Sequence, residues 1–173
     1  FISMNVAIIS IGDELMNGST VDTNSSWISK KILRYQLLDV VSKVTVKDDI
    51  NDIKDNLDYL IKNDIDYIFI TGGIGPTHDD ITKKALADYF NTSLVINSSY
   101  YLRLKEYFKN KNIKTTSSLK SQAQILKNSV PIPNRYGTAL GMKVEYKKSI
   151  IFVLPGVPKE VRGMVEEEIC PLY

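Results

Sequence analysis

Short, continuous apolar runs alternate along the chain with segments in which apolar residues recur at helical spacing. Three runs read as strands buried on both faces of a sheet, at residues 5–11, 67–70 and 149–154, and residues 40–46 read as a further strand. The clearest amphipathic helix carries Ile53, Leu57, Leu60 and Ile61 on one face. Strands that alternate with helices indicate a parallel sheet covered on both sides. We therefore expect a three-layer α/β/α sandwich with a mostly parallel sheet, built as one domain over residues 4–173.

Each of these four strands runs into a loop rich in glycine, proline or acidic residues. The loops cover residues 12–18, 47–49, 72–80 and 155–158. Because parallel strands end at one edge of a sheet, the four loops should meet there. Three of them carry paired carboxylates: Asp13 and Glu14, Asp48 and Asp49, and Asp79 and Asp80. A polar turn explains any single loop, but their convergence predicts a ligand site.

Residues 64–90 place a strand, a glycine loop and a helix start in series. The loop reads Thr-Gly-Gly-Ile-Gly-Pro over residues 71–76, and helical spacing resumes from Asp79. Glycine lets the backbone approach a ligand, and the unpaired N–H groups of a helix start favour an anion. The loop matches neither the Gly-x-x-x-x-Gly-Lys-Ser/Thr motif nor the three-glycine dinucleotide motif. We predict that a phosphate binds at residues 72–75, against a helix that begins near Asp79.

The two acids beside this loop have two readings. Thr77 and Asp80 have the spacing of a capping box, and acids at a helix start suit its dipole. Carboxylates beside a phosphate could instead hold a divalent cation or orient a hydroxyl or water. The residues themselves leave both readings open.

The composition excludes several kinds of partner and site, but it does not identify a reaction. Lys+Arg 22 against Asp+Glu 20 gives a net charge of +2, so bulk charge offers no case for a nucleic-acid partner. The chain has one histidine and one cysteine, which excludes a histidine-rich metal site and an intrachain disulfide. No apolar run reaches membrane-spanning length and no signal peptide is visible, so we expect no membrane partner and a cytoplasmic location. Residues 1–3 precede Met4, a natural start, and are expected to be an added extension.

Residues 71–82, Thr-Gly-Gly-Ile-Gly-Pro-Thr-His-Asp-Asp-Ile-Thr, closely resemble the signature of the molybdopterin-binding, MoaB/MogA-like fold used in molybdenum cofactor (MoCF) biosynthesis. The Pro-Thr-x-Asp-Asp-x-Thr variant is similar to the N-terminal domain of CinA, the competence/damage-inducible protein. Further blocks resemble that group in the same order, at residues 12–18, 22–24, 46–49, 121–123, 131–134, 137–141 and 154–160.

The resemblance implies a three-layer α/β fold with two catalytic aspartates, which match Asp48 and Asp80. In MogA-like relatives such aspartates act where molybdopterin is adenylylated, whereas CinA-like members are associated with metal-dependent hydrolysis of ADP-ribose-type pyrophosphates. The two reactions differ in the nucleophile, a bound phosphate or water, and the sequence does not fix which one enters. We expect the hydrolase, with Mg²⁺, Mn²⁺, Co²⁺ or Ni²⁺ held near Asp13, Asp48 and Asp80. The alternatives are a molybdopterin adenylyltransferase, a non-catalytic molybdopterin-binding module, and an oligomer whose acids only cap helices.

The expected ligand is a nucleotide or pterin phosphate. The residues expected to bind it are Gly12, Asp13, Glu14, Thr71, Gly72, Gly73, Gly75, Pro76, Thr77, Asp79, Thr138, Gly141, Pro155 and Gly156. Members of the family assemble into dimers or trimers, and the 10 Tyr, 5 Phe and 1 Trp of this chain permit an interface. We therefore expect a homo-oligomer, with a dimer favoured.

Overall fold

The computed structural model describes residues 2–173 and contains a six-stranded sheet and a small two-stranded sheet. The strands are β1 (Met4–Ile11), β2 (Leu38–Val46), β3 (Tyr67–Thr71), β4 (Leu94–Ile96), β5 (Gln124–Leu126), β6 (Val130–Ile132), β7 (Gly141–Tyr146) and β8 (Ser149–Leu154). The large sheet has the order β2-β1-β3-β8-β7-β6, and its first four strands are parallel. The predicted mostly parallel sheet is confirmed, with β7 and β6 as an antiparallel extension.

Helices occupy the first four connections between these strands, and one more follows β8. They are α1 (Asp13–Met16), α2 (Thr23–Ile32), α3 (Ile50–Lys62), α4 (Thr82–Tyr89), α5 (Ser98–Asn110), α6 (Ser118–Gln122) and α7 (Pro158–Met164). A π-helical turn (Val165–Ile169) and a 3₁₀ turn (Cys170–Leu172) continue from α7. Three helices begin at a side-chain cap that accepts a backbone N–H, at Asp22, Asp49 and Asn97. None of the helices within residues 2–173 has the length and apolar character needed to span a bilayer.

The core forms two clusters, one on each face of the large sheet. Adjacent strand residues divide between them: Ile9 and Ile70 belong to the cluster that contains Leu57 and Leu86, from α3 and α4. Ile8 belongs to the other cluster, which includes residues of α2 and α7. Successive side chains of a strand point to opposite faces, so a strand buried on both sides reads as continuous hydrophobicity. This is why the central strands were visible in the sequence.

Two helical segments differ from what the sequence pattern predicts. The apolar pattern that begins near Thr23 predicts a helix to Leu37. The observed α2 ends at Ile32, because the chain turns there and the Tyr35 N–H donates to the Ile32 carbonyl at 2.8 Å. The segment expected to be a loop after β1 contains the single helical turn α1. The edge position of β6 agrees with Pro131, which cannot donate to a central ladder.

Candidate functional site

The loops that follow β1, β2, β3 and β8 line one cavity of about 710 Å³, a volume in the range of small-molecule sites. Direct contacts hold the loops together. The Gly72 N–H donates to the Leu154 carbonyl at 3.0 Å. The Asn24 side-chain amide donates to the Gly156 carbonyl at 2.9 Å, which attaches the start of α2 to the loop after β8. The convergence predicted from strand order is therefore present.

Two glycines of the loop after β3 have backbone angles that disfavour a side chain. Gly72 has φ 98° and Gly73 has φ 73°, in the left-handed region that glycine adopts without strain. A Cβ at Gly72 would lie 2.2 Å from the carbonyl oxygen of Ile11, and one at Gly73 would lie 2.0 Å from the Thr82 hydroxyl. Backbone packed this tightly against β1 and α4 is a fixed wall of the cavity.

The start of α4 differs from the sequence-based prediction. The helix begins at Thr82 and not near Asp79, because the Thr82 N–H donates to the Gly73 carbonyl at 3.0 Å and its hydroxyl donates to the Gly72 carbonyl at 2.8 Å. The first amide of the helix is thus bonded to the glycine loop. The backbone N–H groups of Gly73 and Gly75 have no hydrogen-bond partner within residues 2–173. They are the donors that the loop itself offers to an anion.

Asp80 belongs to a separate turn ahead of α4. One of its oxygens, Oδ2, accepts both the Thr77 N–H and the Thr77 hydroxyl, each at 2.8 Å. Its carboxylate lies against Gly75, where a Cβ would come within 2.8 Å of Oδ2. The capping-box spacing therefore produces the expected bond between the two residues, but in a turn that precedes the helix. Asp80 still lines the cavity.

Asp13 and Asp48 form a reciprocal pair across the ends of β1 and β2. The Asp13 N–H donates to Asp48 Oδ2 at 2.9 Å, and the Asp48 N–H donates to Asp13 Oδ1 at 3.0 Å. Each carboxylate therefore keeps a second oxygen outside this pair. Asp48 lines the cavity and Asp13 does not. Asp13 therefore contributes to the site by positioning Asp48 through these two hydrogen bonds.

The electrostatic surroundings of Asp48 are acidic. Partial burial raises its pKa, and the nearby carboxylates of Asp13, Glu14 and Asp80 raise it further, against the lowering effect of the bond from the Asp13 N–H. Negative charges crowded in this way repel one another, and a cation would relieve the repulsion. Carboxylate oxygens are also the ligands that Mg²⁺ and Mn²⁺ prefer.

Within residues 2–173 no three His, Cys, Asp or Glu side chains form a ready-made metal-ligand set. Mg²⁺ commonly takes only one or two protein carboxylates and completes its coordination with water and substrate phosphates. Asp48 and Asp80 fit that arrangement, because both line the cavity and each has an oxygen outside the protein hydrogen bonds described above. The metal assignment of Asp13 stays a prediction.

Most of the residues expected from the sequence line the cavity. These are Glu14, Asp48, Thr71, Gly72, Gly73, Gly75, Pro76, Thr77, Asp79, Asp80, Thr138, Pro155 and Gly156. Gly12, Asp13 and Gly141 do not. Gly141 has a packing reason to be glycine, since a Cβ there would lie 2.6 Å from Met164 Cε and 2.8 Å from the Val153 carbonyl oxygen.

The cavity also has polar lining residues that sequence reasoning did not assign to the site. They include Asp22, Asn24, Gln122 and Glu160. Asp22 caps α2 and lies in the block 22–24 that resembles the CinA-like group. Burial raises the pKa of its carboxyl, but hydrogen bonds from Ser25 and Ser10 outweigh burial, and the net pKa is lowered. Glu160 and Gln122 belong to sequence blocks already noted for their resemblance, and that was the available signal.

Lys83 lies directly behind the glycine loop and is 6 % exposed. Its ammonium donates to the Ser121 carbonyl at 3.1 Å. Burial lowers its pKa from the ordinary 10.5 to about 8, and the opposing influence of Asp80 is smaller. The unfolded chain therefore binds more protons than the folded chain between those two values, and stability should rise with pH across that window.

We expect the free energy of unfolding of the wild-type protein to gain about 3 kcal/mol from Lys83 between pH 8 and pH 10.5, at about 1.4 kcal/mol per pKa unit. Lys83→Met should lose this rise, and Lys84→Met, at an exposed position on the same helix, should keep it. Urea denaturation of the three proteins at several pH values measures the difference. A rise that is equal in all three would contradict the assignment.

The fold and the cavity define an α/β protein of the MoaB/MogA class. The crystal structure of MoaB from Thermus thermophilus matches with a TM-score of 0.62 at 22% identity, over 94% of this chain and 87% of that one, which shows the shared fold. A structure of CinA, of unknown function, from Thermoplasma acidophilum matches with a TM-score of 0.82 at 29% identity, over 95% of each chain.

Residues 7–173 match the family described as "Probable molybdopterin binding domain", and the chain belongs to this family. A CinA-like protein of Flavobacterium psychrophilum is 37% identical over 97% of this chain. A protein of Pyrococcus furiosus is 36% identical, and the alignment covers 97% of this chain and 69% of the relative. The chain spans only 40% of the Flavobacterium protein.

Proposed function

We propose that the protein is a metal-dependent pyrophosphatase that cleaves ADP-ribose-type substrates. The observation that carries this proposal is the placement of Asp48 and Asp80 on the same cavity as the glycine loop. The loop offers unpartnered N–H groups to a phosphate, and the carboxylates offer oxygen ligands to a divalent cation. A diphosphate held between them would lie where its charge is compensated on both sides.

In the proposed reaction a water oxygen bonds to one phosphorus, and the bond from that phosphorus to the bridging oxygen breaks. ADP-ribose would thus yield AMP and ribose 5-phosphate, with the proton from water released. The amides of Gly73 and Gly75 would bind the phosphate oxygens, and Asp48 and Asp80 would hold the cation. Mg²⁺, Mn²⁺, Co²⁺ or Ni²⁺ would supply the positive charge that offsets charge developing on the phosphate.

The second candidate is molybdopterin binding, with or without adenylylation, and the family description favours it. Adenylyl transfer needs the same phosphate donors and the same cation, but a pterin phosphate takes the place of water as the nucleophile. The cavity of about 710 Å³ would accept either ligand. The homo-oligomer, with a dimer favoured, remains part of the proposal.

We expect the wild-type protein to release AMP from ADP-ribose in the presence of at least one of the four cations. Addition of EDTA should stop this release, because it removes the cation. A parallel reaction with molybdopterin and ATP tests the second candidate. Chromatographic detection of AMP supports the hydrolase, adenylylated pterin supports the transferase, and tight pterin binding without turnover supports a binding module. Absence of AMP with every cation would overturn the hydrolase proposal.

A further inference from the structure

One part of the cavity lining is built from Gln122, Thr138 and Glu160, here called the polar wall. The Thr138 hydroxyl donates to Gln122 Oε1 at 2.9 Å, and the Thr138 carbonyl accepts the Tyr100 hydroxyl at 3.0 Å. Gln122 Nε2 in turn donates to the Ile74 carbonyl at 3.4 Å, which links the wall to the glycine loop. The polar wall is therefore held in place by bonds on both sides.

Glu160 is the charged member of this wall and is 8 % exposed. Its Oε1 accepts the Asn134 side-chain amide at 2.6 Å and lies so close to Gly137 that a Cβ there would come within 2.0 Å. Within residues 2–173 it forms no salt bridge. Burying a carboxylate without a cationic partner costs free energy, so some benefit must offset the burial of Glu160.

The second carboxylate oxygen of Glu160, Oε2, is free to bind a ligand. No hydrogen bond within residues 2–173 ends on Oε2. No fully buried side-chain oxygen or nitrogen of the described residues lacks a partner, so Oε2 is in contact with solvent. Because Glu160 lines the cavity, the cavity is where that solvent lies. The carboxylate thus presents an acceptor oxygen, fixed in direction by Asn134, to whatever occupies the cavity.

We propose that Glu160 Oε2 accepts a hydrogen bond from a donor edge of the ligand outside its phosphate. This inference rests on the proposed function, since it takes the phosphate to lie at the glycine loop. Two chemical groups have such an edge. One is the vicinal diol of a ribose, and the other is the amide N–H and amino group of a pterin ring, which guanine also carries.

A structural role for Glu160 is the alternative, because an acid in the first turn of α7 suits the helix dipole. A purely structural residue would not distinguish ligands that differ by one donor. The test therefore compares matched ligand pairs on wild-type protein and on Glu160→Gln, by calorimetry. AMP against 2′-deoxy-AMP reports on the diol, and GMP against IMP reports on the amino group.

The wild-type protein is expected to prefer AMP or GMP over its partner by about tenfold to a hundredfold, the scale of one hydrogen bond to a charged group. Glu160→Gln should reduce that preference to near unity, because an amide has lost the charge. Glu168→Gln, on the same C-terminal segment but outside the cavity lining, should keep it. The pair that shows the preference identifies which of the two edges is recognised.

If Glu160→Gln keeps the preference, the subsite is overturned. The same holds if the wild-type protein shows no preference within either nucleotide pair. Neither result affects AMP binding or ADP-ribose hydrolysis. Binding of none of the four nucleotides would overturn the subsite, whereas absence of AMP release from ADP-ribose would overturn the proposed function. If Glu160→Gln does not fold, Glu160→Asp is measured in its place, because its carboxylate is one methylene shorter and withdraws from the cavity. An unchanged preference in that variant would also overturn the inference.

Discussion

Asp48→Asn and Asp80→Asn are each expected to lower the turnover of ADP-ribose by about a hundredfold or more, the usual scale for electrostatic groups at a reacting centre. Asparagine keeps a side-chain oxygen that can accept the Asp13 N–H or the Thr77 N–H, so both loops should hold their conformation. What is removed is the negative charge that would hold the cation.

Steady-state rates at saturating cation, with thermal unfolding as a check on folding, measure these losses. Asp55→Asn removes a charge from an exposed position on α3 and is the matched control that should keep the wild-type rate. The double variant should lose little more than either single variant, because both residues would serve one cation. Wild-type rates in both single variants would refute the assignment of the site.

Gly72→Ala should lower the free energy of unfolding by about 3 kcal/mol, from backbone strain together with overpacking. The added methyl would lie 2.2 Å from the Ile11 carbonyl oxygen, which is part of β1 and cannot move aside cheaply. Gly18→Ala separates the two contributions. Gly18 also has a positive φ, 82°, but nothing lies within 4 Å of the position its Cβ would take.

Gly18→Ala should therefore lower the free energy of unfolding by about 1 kcal/mol, from backbone strain alone. Guanidinium denaturation of both variants measures the two losses on the same scale. Equal losses would show that the contact with β1 contributes nothing, and that the glycine is required for its backbone angle alone. A larger loss in Gly72→Ala supports the fixed wall, and its ligand affinity should fall together with its stability.

The sheet and the meeting of the four loops could be predicted because both follow from short-range patterns. A strand buried on both faces is apolar at nearly every position, as residues 68–70 of β3 and 150–154 of β8 are. Once the strands are taken as parallel, topology alone brings Asp48 and Asp80 to one edge. The aspartate placement needed no knowledge of side-chain contacts.

The features that escaped prediction depend on contacts between distant parts of the chain. The start of α4 is set by bonds from Thr82 to the glycine loop, which override the local capping signal of Thr77 and Asp80. Glu160 looks like an ordinary acid in a first helical turn. The fold shows that it lines the cavity, where Asn134, which is remote in sequence, holds its carboxylate.

The position of β8 in the sheet has a consequence for how the protein is made. β3 lies between β1 and β8, and four other strands separate β3 from β8 along the chain. On the ribosome, β1, β2 and β3 emerge long before the strand that completes their sheet, and such distant pairings are slow to form. Until then the β3 edge is open and the Gly72 amide lacks Leu154. Ligand-binding competence should thus arise only once residues 149–156 have been synthesised and paired with β3.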